Sequence, residues 1–523
     1  MTDPRPITFG ARLRQLARER GAAEAVRFLA ADGQEEAIGW DALDASVDRI
    51  AHVLAAQGVG RGDVVGIGLA NTPTHLATSL AVWRLGATTL VADPHLTPEL
   101  AAALKARIGA RLWISEAPGS GDLDRARLER LAAFAPATPV ADAVSCPGKI
   151  VLSGGSTGLP KMMADDRPYM RIPGASWGRI APALGFRADQ VQLVAGALAH
   201  NAPQTWAQNG LFEGNRLILM EKFDTDRALL AIDRFRVGFA MVVPTMMVRM
   251  LDRLEATGAR LDSLHAFYHT GAPCPAWLKA AWIKRLGPDR VFEMYGSGEN
   301  TGQTVLAGPE WLARKGTVGR GFETEIRIYG PDGARLGPRA RGEIFMRPED
   351  LSGRSRYLGP EAPRPRRDAD GFQSIGDMGW LDDEGYLYLA GRSDDVINTG
   401  GVKVHPEVVE AELLRHPQVA DAVVLGISDR DWGQRVLACI VPAEGFSPDP
   451  AALHDFCAAH LAPAEVPKRF ELRRTLPRDG FGKIRRKALR AELEPARSCL
   501  KRRSQRRRDV MSMKPRKLSA VLS

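Results

Sequence analysis

The sequence predicts an α/β protein: a large N-terminal domain of parallel-sheet α/β layers with a β-rich subdomain, then a small mobile α+β domain. Three observations predict it. From Trp40 to about Ala117, short apolar runs alternate with helical patterns, and residues 187–250 repeat that theme. Beyond about Thr317 the texture changes to short β segments between turn signals, and from about 394 a compact unit mixes both patterns. Parallel strands cannot be joined by a tight hairpin, so strands interleaved with helices of about 10–15 residues imply a parallel sheet covered by those helices.

In chain order, residues 41–57 (DALDASVDRIAHVLAAQ) carry apolar residues at helical spacing, and 63–70 (DVVGIGLA) form a compact apolar run of strand length. The pattern continues as helix 74–86, strand 88–92, helix 97–109 and strand 111–115. Strands are then expected at 191–198 and 215–220, a helix at 225–235 and a strand at 238–244. PDG and DDEG in 324–336 and 382–392 are hairpin signals. The last unit offers a helix at 406–416, strands at 420–427 and 436–442, and a helix at 450–462. These boundaries give domains of 1–393, 394–493 and a basic tail, 494–523, expected to be disordered.

Composition excludes several classes. A 523-residue chain with 45% hydrophobic and 25% charged residues is globular, not fibrous or disordered throughout. The longest apolar run, Gly238 to Val248, is too short to cross a bilayer and contains Pro244. The N-terminus has no secretory pattern, so a cytoplasmic location is expected. Five cysteines, Cys146, Cys274, Cys439, Cys457 and Cys499, show neither zinc-ligand spacing nor a disulfide framework. The net charge of +9 is concentrated: residues 494–523 hold ten Lys or Arg against Glu494 and Asp509, eight of the nine net charges. A flexible basic segment of that kind binds phosphate polymers non-specifically. It lacks a nucleic-acid module, so this is an alternative to an enzymatic role and not the main reading.

Four clusters could carry chemistry. In Leu152-Ser153-Gly154-Gly155-Ser156-Thr157-Gly158-Leu159-Pro160-Lys161, glycines free backbone N–H groups to curl round an anion, hydroxyls add donors and Lys161 adds charge. It reads as a phosphate loop or, alternatively, a plain Gly/Ser surface turn. Pro160 excludes a Walker A loop, which needs glycine before the lysine. Gly271-Ala272-Pro273 followed by Tyr295-Gly296-Ser297-Gly298-Glu299 offers small residues, a ring and a carboxylate. Ser374-Ile375-Gly376-Asp377 with Gly391-Arg392-Ser393-Asp394-Asp395 supplies an acid and a base. Leu476 to Arg485 brackets Lys483 with glycine and follows Phe481.

In this order and at these separations the four resemble the adenylate-forming superfamily: acyl-CoA synthetases, luciferases and adenylation domains. The resemblance covers about residues 20–493. It implies that a carboxylate attacks the α-phosphate of ATP to give acyl-AMP and pyrophosphate, and that a thiol, usually of coenzyme A, then displaces AMP. The loop from Ser153 to Lys161 would hold the β- and γ-phosphates. Glu299 would anchor Mg²⁺, a hard cation that prefers oxygen ligands. Tyr295 would face the adenine beside Gly271, Ala272 and Pro273, with Gly296, Ser297 and Gly298 completing the nucleotide turn. Asp377, with Arg392 near it, would accept from the ribose hydroxyls. Lys483 would bring positive charge to the α-phosphate, Asp394 would be the hinge, and Gly400 and Gly401 would let the pantetheine arm pass.

Two positions depart from the pattern. Gly298 stands where the family has Thr, removing a hydrogen bond worth on the order of 1 kcal/mol, and Phe481 replaces a small hydroxyl residue before the Gly-Lys pair. A catalytically impaired relative therefore stays open, as does a carrier-protein thiol in place of coenzyme A.

For the acid itself, Leu198-Ala199-His200-Asn201 resembles the His-Asn of acyl-CoA synthetases. His200 is either a core or gate histidine or a group beside the substrate. Asp224 reads as a helix cap, so no aspartate is assigned to a substrate ammonium and an acid without an α-amino group is expected. The stretch Tyr268–Lys279 resembles ligases of bile acids, steroid side chains and other bulky acids, and Gly271, Gly296 and Gly298 are expected to leave volume at the carboxyl. Cys274 is expected to be a packed small hydrophobe, and Met246, Met247 and Met250 to be core.

Overall fold

The structure is a computed structural model, and it describes residues 5–153, 160–359, 362, 364–392, 395–400, 402–429, 431–478 and 484–494. Expectations on Gly154, Gly155, Ser156, Thr157, Gly158, Asp394, Gly401, Phe481 and Lys483, on the Ser153 side chain and on the tail from 495 lie outside the described residues. The chain forms two compact units, which meet in sequence at 393 and 394.

In the larger unit a nine-stranded sheet has a parallel centre of six strands: Glu24–Leu29, Arg216–Met220, Val191–Val194, Phe239–Val242, Ala266–His269 and Val291–Gly296. Antiparallel strands Gln303–Ala307, Arg320–Gly321 and Glu35–Gly39 complete its edges. In a seven-stranded sheet, Lys149–Ser153, Thr88–Val91, Val64–Gly68, Leu112–Ser115 and Leu123–Asp124 are parallel. Lys161–Ala164 and Arg356–Leu358 extend it antiparallel. Thr324–Tyr329, Gly342–Pro348, Gln373–Leu381 and Leu387–Arg392 form a four-stranded antiparallel sheet, the β-rich part expected after Thr317.

Local chemistry explains the helices that cover the parallel strands. Thr72 and Thr97 cap Pro73–Arg84 and Pro98–Ile108, each side chain accepting an orphan N–H, with proline in the first turn. Asp224 accepts from Arg227 N at 2.9 Å and so caps Thr225–Arg234, as the sequence suggests. The helix Asn201–Phe212 was not expected: its buried Gln204, Gln208 and Asn209 break the apolar stripe that marks a core helix. The apolar run from Gly238 is a strand, Phe239–Val242, and the first turns of Pro244–Thr257. Among the described residues no helix is long and apolar enough to cross a membrane. Met247 and Met250 are fully buried, as expected of core.

Two neutral histidines make this unit acid-sensitive. His75 Nδ1–H donates to the Leu69 and Ala70 carbonyls (3.0 and 3.2 Å), and burial pushes the ring down to about 4. His269 is likewise fully buried and held down to about 4 by desolvation. An unfolded histidine titrates near 6.5, so between about 6.5 and 4 the unfolded chain binds the extra proton. The stability is therefore intact above that window and lost as pH falls through it. From pH 7 to 5 each should cost roughly 2 kcal/mol. Denaturant unfolding of the wild type and His75→Gln at both values checks this: the substitution should remove about half of the acid-induced loss.

The smaller unit has a five-stranded sheet in which Val419–Asp429 pairs antiparallel with Gly433–Pro442, and Arg469–Leu472 adds in parallel. Helices Pro406–Leu413, Pro450–His460 and Arg486–Leu493 pack with it.

Candidate functional site

In an open parallel sheet the carboxyl ends of the strands leave a crevice where loops diverge, and ligands settle there. The predicted residues of the larger unit gather at such ends. Lys149–Ser153 runs into the glycine-rich loop, Val191–Val194 leads to His200, Ala266–His269 to Gly271, and Val291–Gly296 carries Tyr295 and ends at the Glu299 turn. Gly271 has φ +89°, a conformation open to glycine at low cost, and Pro273 after it is exposed. Thr270 Oγ1 donates to the Met294 carbonyl at 2.8 Å and ties this loop to the strand of Tyr295.

Tyr295, Asp377 and Arg392 come together. The Tyr295 hydroxyl donates to Asp377 Oδ2 at 2.6 Å, and Arg392 Nη1 stands 3.6 Å from Asp377 Oδ1. Arg392 Nη2 also donates to the Ile375 carbonyl at 2.9 Å, and Asp377 and Arg392 are direct cross-strand partners. Burial, with the Asp377 charge beside it, holds the Tyr295 phenol well above its ordinary value, so it remains a donor. A carboxylate in this setting can accept from a vicinal diol while the tyrosine ring presents a flat apolar face.

Glu299 and Lys161 are linked through a residue the sequence did not single out. The Tyr357 hydroxyl donates to Glu299 Oε1 at 2.7 Å, and Lys161 Nζ lies 5.8 Å from the centroid of the Tyr357 ring. Burial and the Glu299 charge raise the Tyr357 phenol, so here too the proton stays on oxygen. Among the described residues no group of three or more His, Cys, Asp or Glu could hold a metal alone. The single carboxylate of Glu299 is a donor of the type Mg²⁺ accepts, because that ion keeps waters and takes one or two carboxylates together with substrate phosphates. Tyr357 reaches Glu299 Oε1, and among the described residues none donates to Oε2.

A Cβ on Gly298 would stand 3.1 Å from Met163 Cε, the end of a flexible side chain, and 3.7 Å from Val151 Cγ1, while a Cβ on Gly296 would meet Gln303 at 3.4 Å, an ordinary contact. A small apolar cavity of about 10 Å³, no larger than a water molecule, is lined by Gly196, Ala197, Pro203, Met241, Val243 and Met246. His200 is half-buried next to it in sequence, at the N-cap of Asn201–Phe212. Desolvation pushes the Cys274 thiol up to about 12, which suits a packed side chain and not a nucleophile.

In the smaller unit, two arginines make half-buried ion pairs on either side of residues 479–483, which lie outside the described residues. Arg478 pairs antiparallel with Ile484, and Arg478 Nη2 donates to both oxygens of Asp421 at 2.8 and 2.6 Å. Arg486 is bidentate to Glu410 at 2.6 and 2.9 Å and lies 3.5 Å from Asp395. Only the run of basic residues hints at this second clamp before folding. Gly400 has φ +57°, and a Cβ there would stand 2.4 Å from the Trp432 ring, so within this unit the close approach at Gly400 is that of an indole.

Residues 13–352 match the family model described as AMP-binding enzyme, and residues 408–483 match the AMP-binding enzyme C-terminal domain. The 2-succinylbenzoate–CoA ligase of Geobacillus kaustophilus is 32% identical over 452 residues, covering 84% of this chain and 90% of that protein. The long-chain-fatty-acid–CoA ligase FadD13 of Mycobacterium tuberculosis is 27% identical, covering 86% and 92%. Among solved structures, o-succinylbenzoate CoA synthetase from Bacillus subtilis with its acyl-adenylate intermediate superposes with TM-score 0.77 at 25% identity, covering 95% and 99%. MatB from Rhodopseudomonas palustris gives 0.76 at 25%, covering 92% and 98%. With a fold of parallel α/β sheets plus a small second unit, and with these matches along nearly its whole length, the chain belongs to the AMP-binding enzyme family, among acyl- and aryl-CoA ligases.

Proposed function

We propose that the protein joins a carboxylic acid to coenzyme A at the expense of ATP, through an acyl-adenylate. In the first step a carboxylate oxygen of the acid attacks the α-phosphorus and the bond to pyrophosphate breaks. In the second the coenzyme A thiolate attacks the acyl carbon and AMP leaves with the bonding electrons. The linked Tyr295, Asp377 and Arg392 at the carboxyl edge of the sheet support this reading best: Asp377 receives the ribose hydroxyls and Tyr295 flanks the adenine. Bound Mg²⁺ would neutralise phosphate charge that otherwise repels the incoming carboxylate, and Glu299 would hold it. Lys161 and the loop before it bind the outer phosphates, and Lys483 serves the first step.

The acid, in this reading, lacks an α-amino group and carries a bulky apolar aryl or alkyl body. The acids named in the relatives, 2-succinylbenzoate and long-chain fatty acids, support that range. The deciding experiment is acid-dependent ATP–pyrophosphate exchange with aromatic, fatty and steroid acids, repeated with coenzyme A. Exchange with one class and thioester only with coenzyme A upholds the proposal. Exchange without thioester points to a carrier-protein thiol. ATP binding without exchange for any acid points to an impaired relative, with the hydroxyl missing at Gly298 as the first suspect.

A further inference from the structure

The segment Gly353–Leu358 touches both halves of the phosphate-binding region. On one side, Arg356–Leu358 pairs antiparallel with Lys161–Ala164, with Tyr357 opposite Met163 and Leu358 opposite Met162. On the other, the same segment grips the Glu299 turn at three points. Ser355 N donates to the Glu299 carbonyl at 3.1 Å, and Asn300 Nδ2 donates to the Gly353 carbonyl and Ser355 Oγ, each at 3.2 Å. The third is the Tyr357 hydroxyl on Glu299 Oε1 at 2.7 Å. Asn300 itself sits at φ +50°, a conformation asparagine tolerates better than most residues, so the turn is held in shape by these contacts.

We propose that Tyr357 is a positioning residue for Glu299: its hydroxyl fixes one carboxylate oxygen so that the other faces the magnesium–phosphate site at a set distance from the strand of Lys161. This rests on the reading of Glu299 as the Mg²⁺ carboxylate. The physical case is geometric. A glutamate side chain has three rotatable torsions, and ordering it on binding costs conformational entropy. A hydroxyl that already holds Oε1 removes part of that cost before the metal arrives. Ligating carboxylates are commonly held by an outer partner in this way, and loss of the partner weakens metal affinity by about 10–100-fold. The ring is shared with a second contact, the Lys161 ammonium 5.8 Å from its centroid, so removal of the hydroxyl alone separates the two roles.

The test is Tyr357→Phe, which keeps the ring and its packing. Calorimetric titration of ATP into the protein, with and without Mg²⁺, gives a readout independent of turnover. Expected is about a 10-fold weaker metal-dependent part of ATP affinity, unchanged affinity for ATP in the presence of a chelator, and an unchanged melting temperature. The half-saturating Mg²⁺ concentration in pyrophosphate exchange should rise by the same factor. Glu299→Gln serves as the reference, and the double variant should be no worse than Glu299→Gln alone, because Tyr357 acts through that carboxylate. If Glu299→Gln leaves the Mg²⁺ dependence intact, the assignment of Glu299 fails. If Glu299→Gln shifts it and Tyr357→Phe does not, or if the two losses add, the positioning role fails. If Tyr357→Phe lowers the melting temperature and weakens chelated ATP binding equally, its part is structural and the proposal is overturned.

Discussion

Lys483→Ala should slow adenylate formation by about 10² to 10³, or roughly 3–4 kcal/mol, the usual consequence of removing one preorganised charge from a transition state. Thioester formation from preformed acyl-adenylate should be largely spared. The reason for the split is electrostatic. Attack of a carboxylate on the α-phosphate brings two anionic groups together and builds charge on the phosphoryl oxygens, so an ammonium there stabilises the transition state more than the ground state. In the second step the attacked carbon belongs to a mixed anhydride and the leaving group is already a stabilised phosphate. Arg478 and Arg486, which flank Lys483 in sequence, pair with Asp421 and Glu410. The measurement is the ratio of the two half-reaction rates in wild type and variant. Equal loss in both would remove Lys483 from the first step and assign it a role common to both.

How far the fold and site could be read in advance follows from which signals are local. The alternation of apolar runs and amphipathic stretches is written in adjacent residues, and the strands Val64–Gly68, Thr88–Val91 and Arg216–Met220 stand close to their expected positions. The motif residues Tyr295, Asp377 and Arg392 could be named because each sits beside a glycine in a cluster that resembles the family pattern, but their hydrogen bonds span 82 and 17 residues and belong to the fold. Tyr357 was invisible for the complementary reason. In SRYLGP it reads as an ordinary strand residue, and only the pairing of Arg356–Leu358 with Lys161–Ala164 brings its hydroxyl to Glu299. The neighbours of Gly298, Met163 and Val151, are likewise set by the fold, since composition cannot tell which distant side chains stand beside a glycine.

Lys279→Met should destabilise the larger unit by about 3–5 kcal/mol, because it leaves a buried carboxylate without its partner. Lys279 and Glu293 are 3% and 6% exposed, and the Lys279 ammonium contacts Glu293 Oε2 directly. The ammonium also lies 5.4 Å from the Trp311 ring centroid, and His269 Nδ1 is 3.8 Å from Glu293 Oε1. His269 is neutral there, so it offers no replacement charge. Glu293 precedes Tyr295 by two residues on one strand, and its register partner His269 precedes Gly271 by two on the next. Strand periodicity therefore turns Glu293 and Tyr295 to one face, and the ion pair pins the strand Val291–Gly296 to the helix Ala276–Leu286. The double variant Lys279→Met/Glu293→Leu separates the cost of an orphaned charge from the worth of the pair: apolar replacement of both partners is often neutral, so most of the lost stability should return. Urea unfolding of the three proteins at pH 7 measures this. If the single variant loses less than about 1 kcal/mol, as an exposed pair would, the pair is not a buried anchor. If the double variant is as unstable as the single, the loss comes from packing and not from the uncompensated carboxylate.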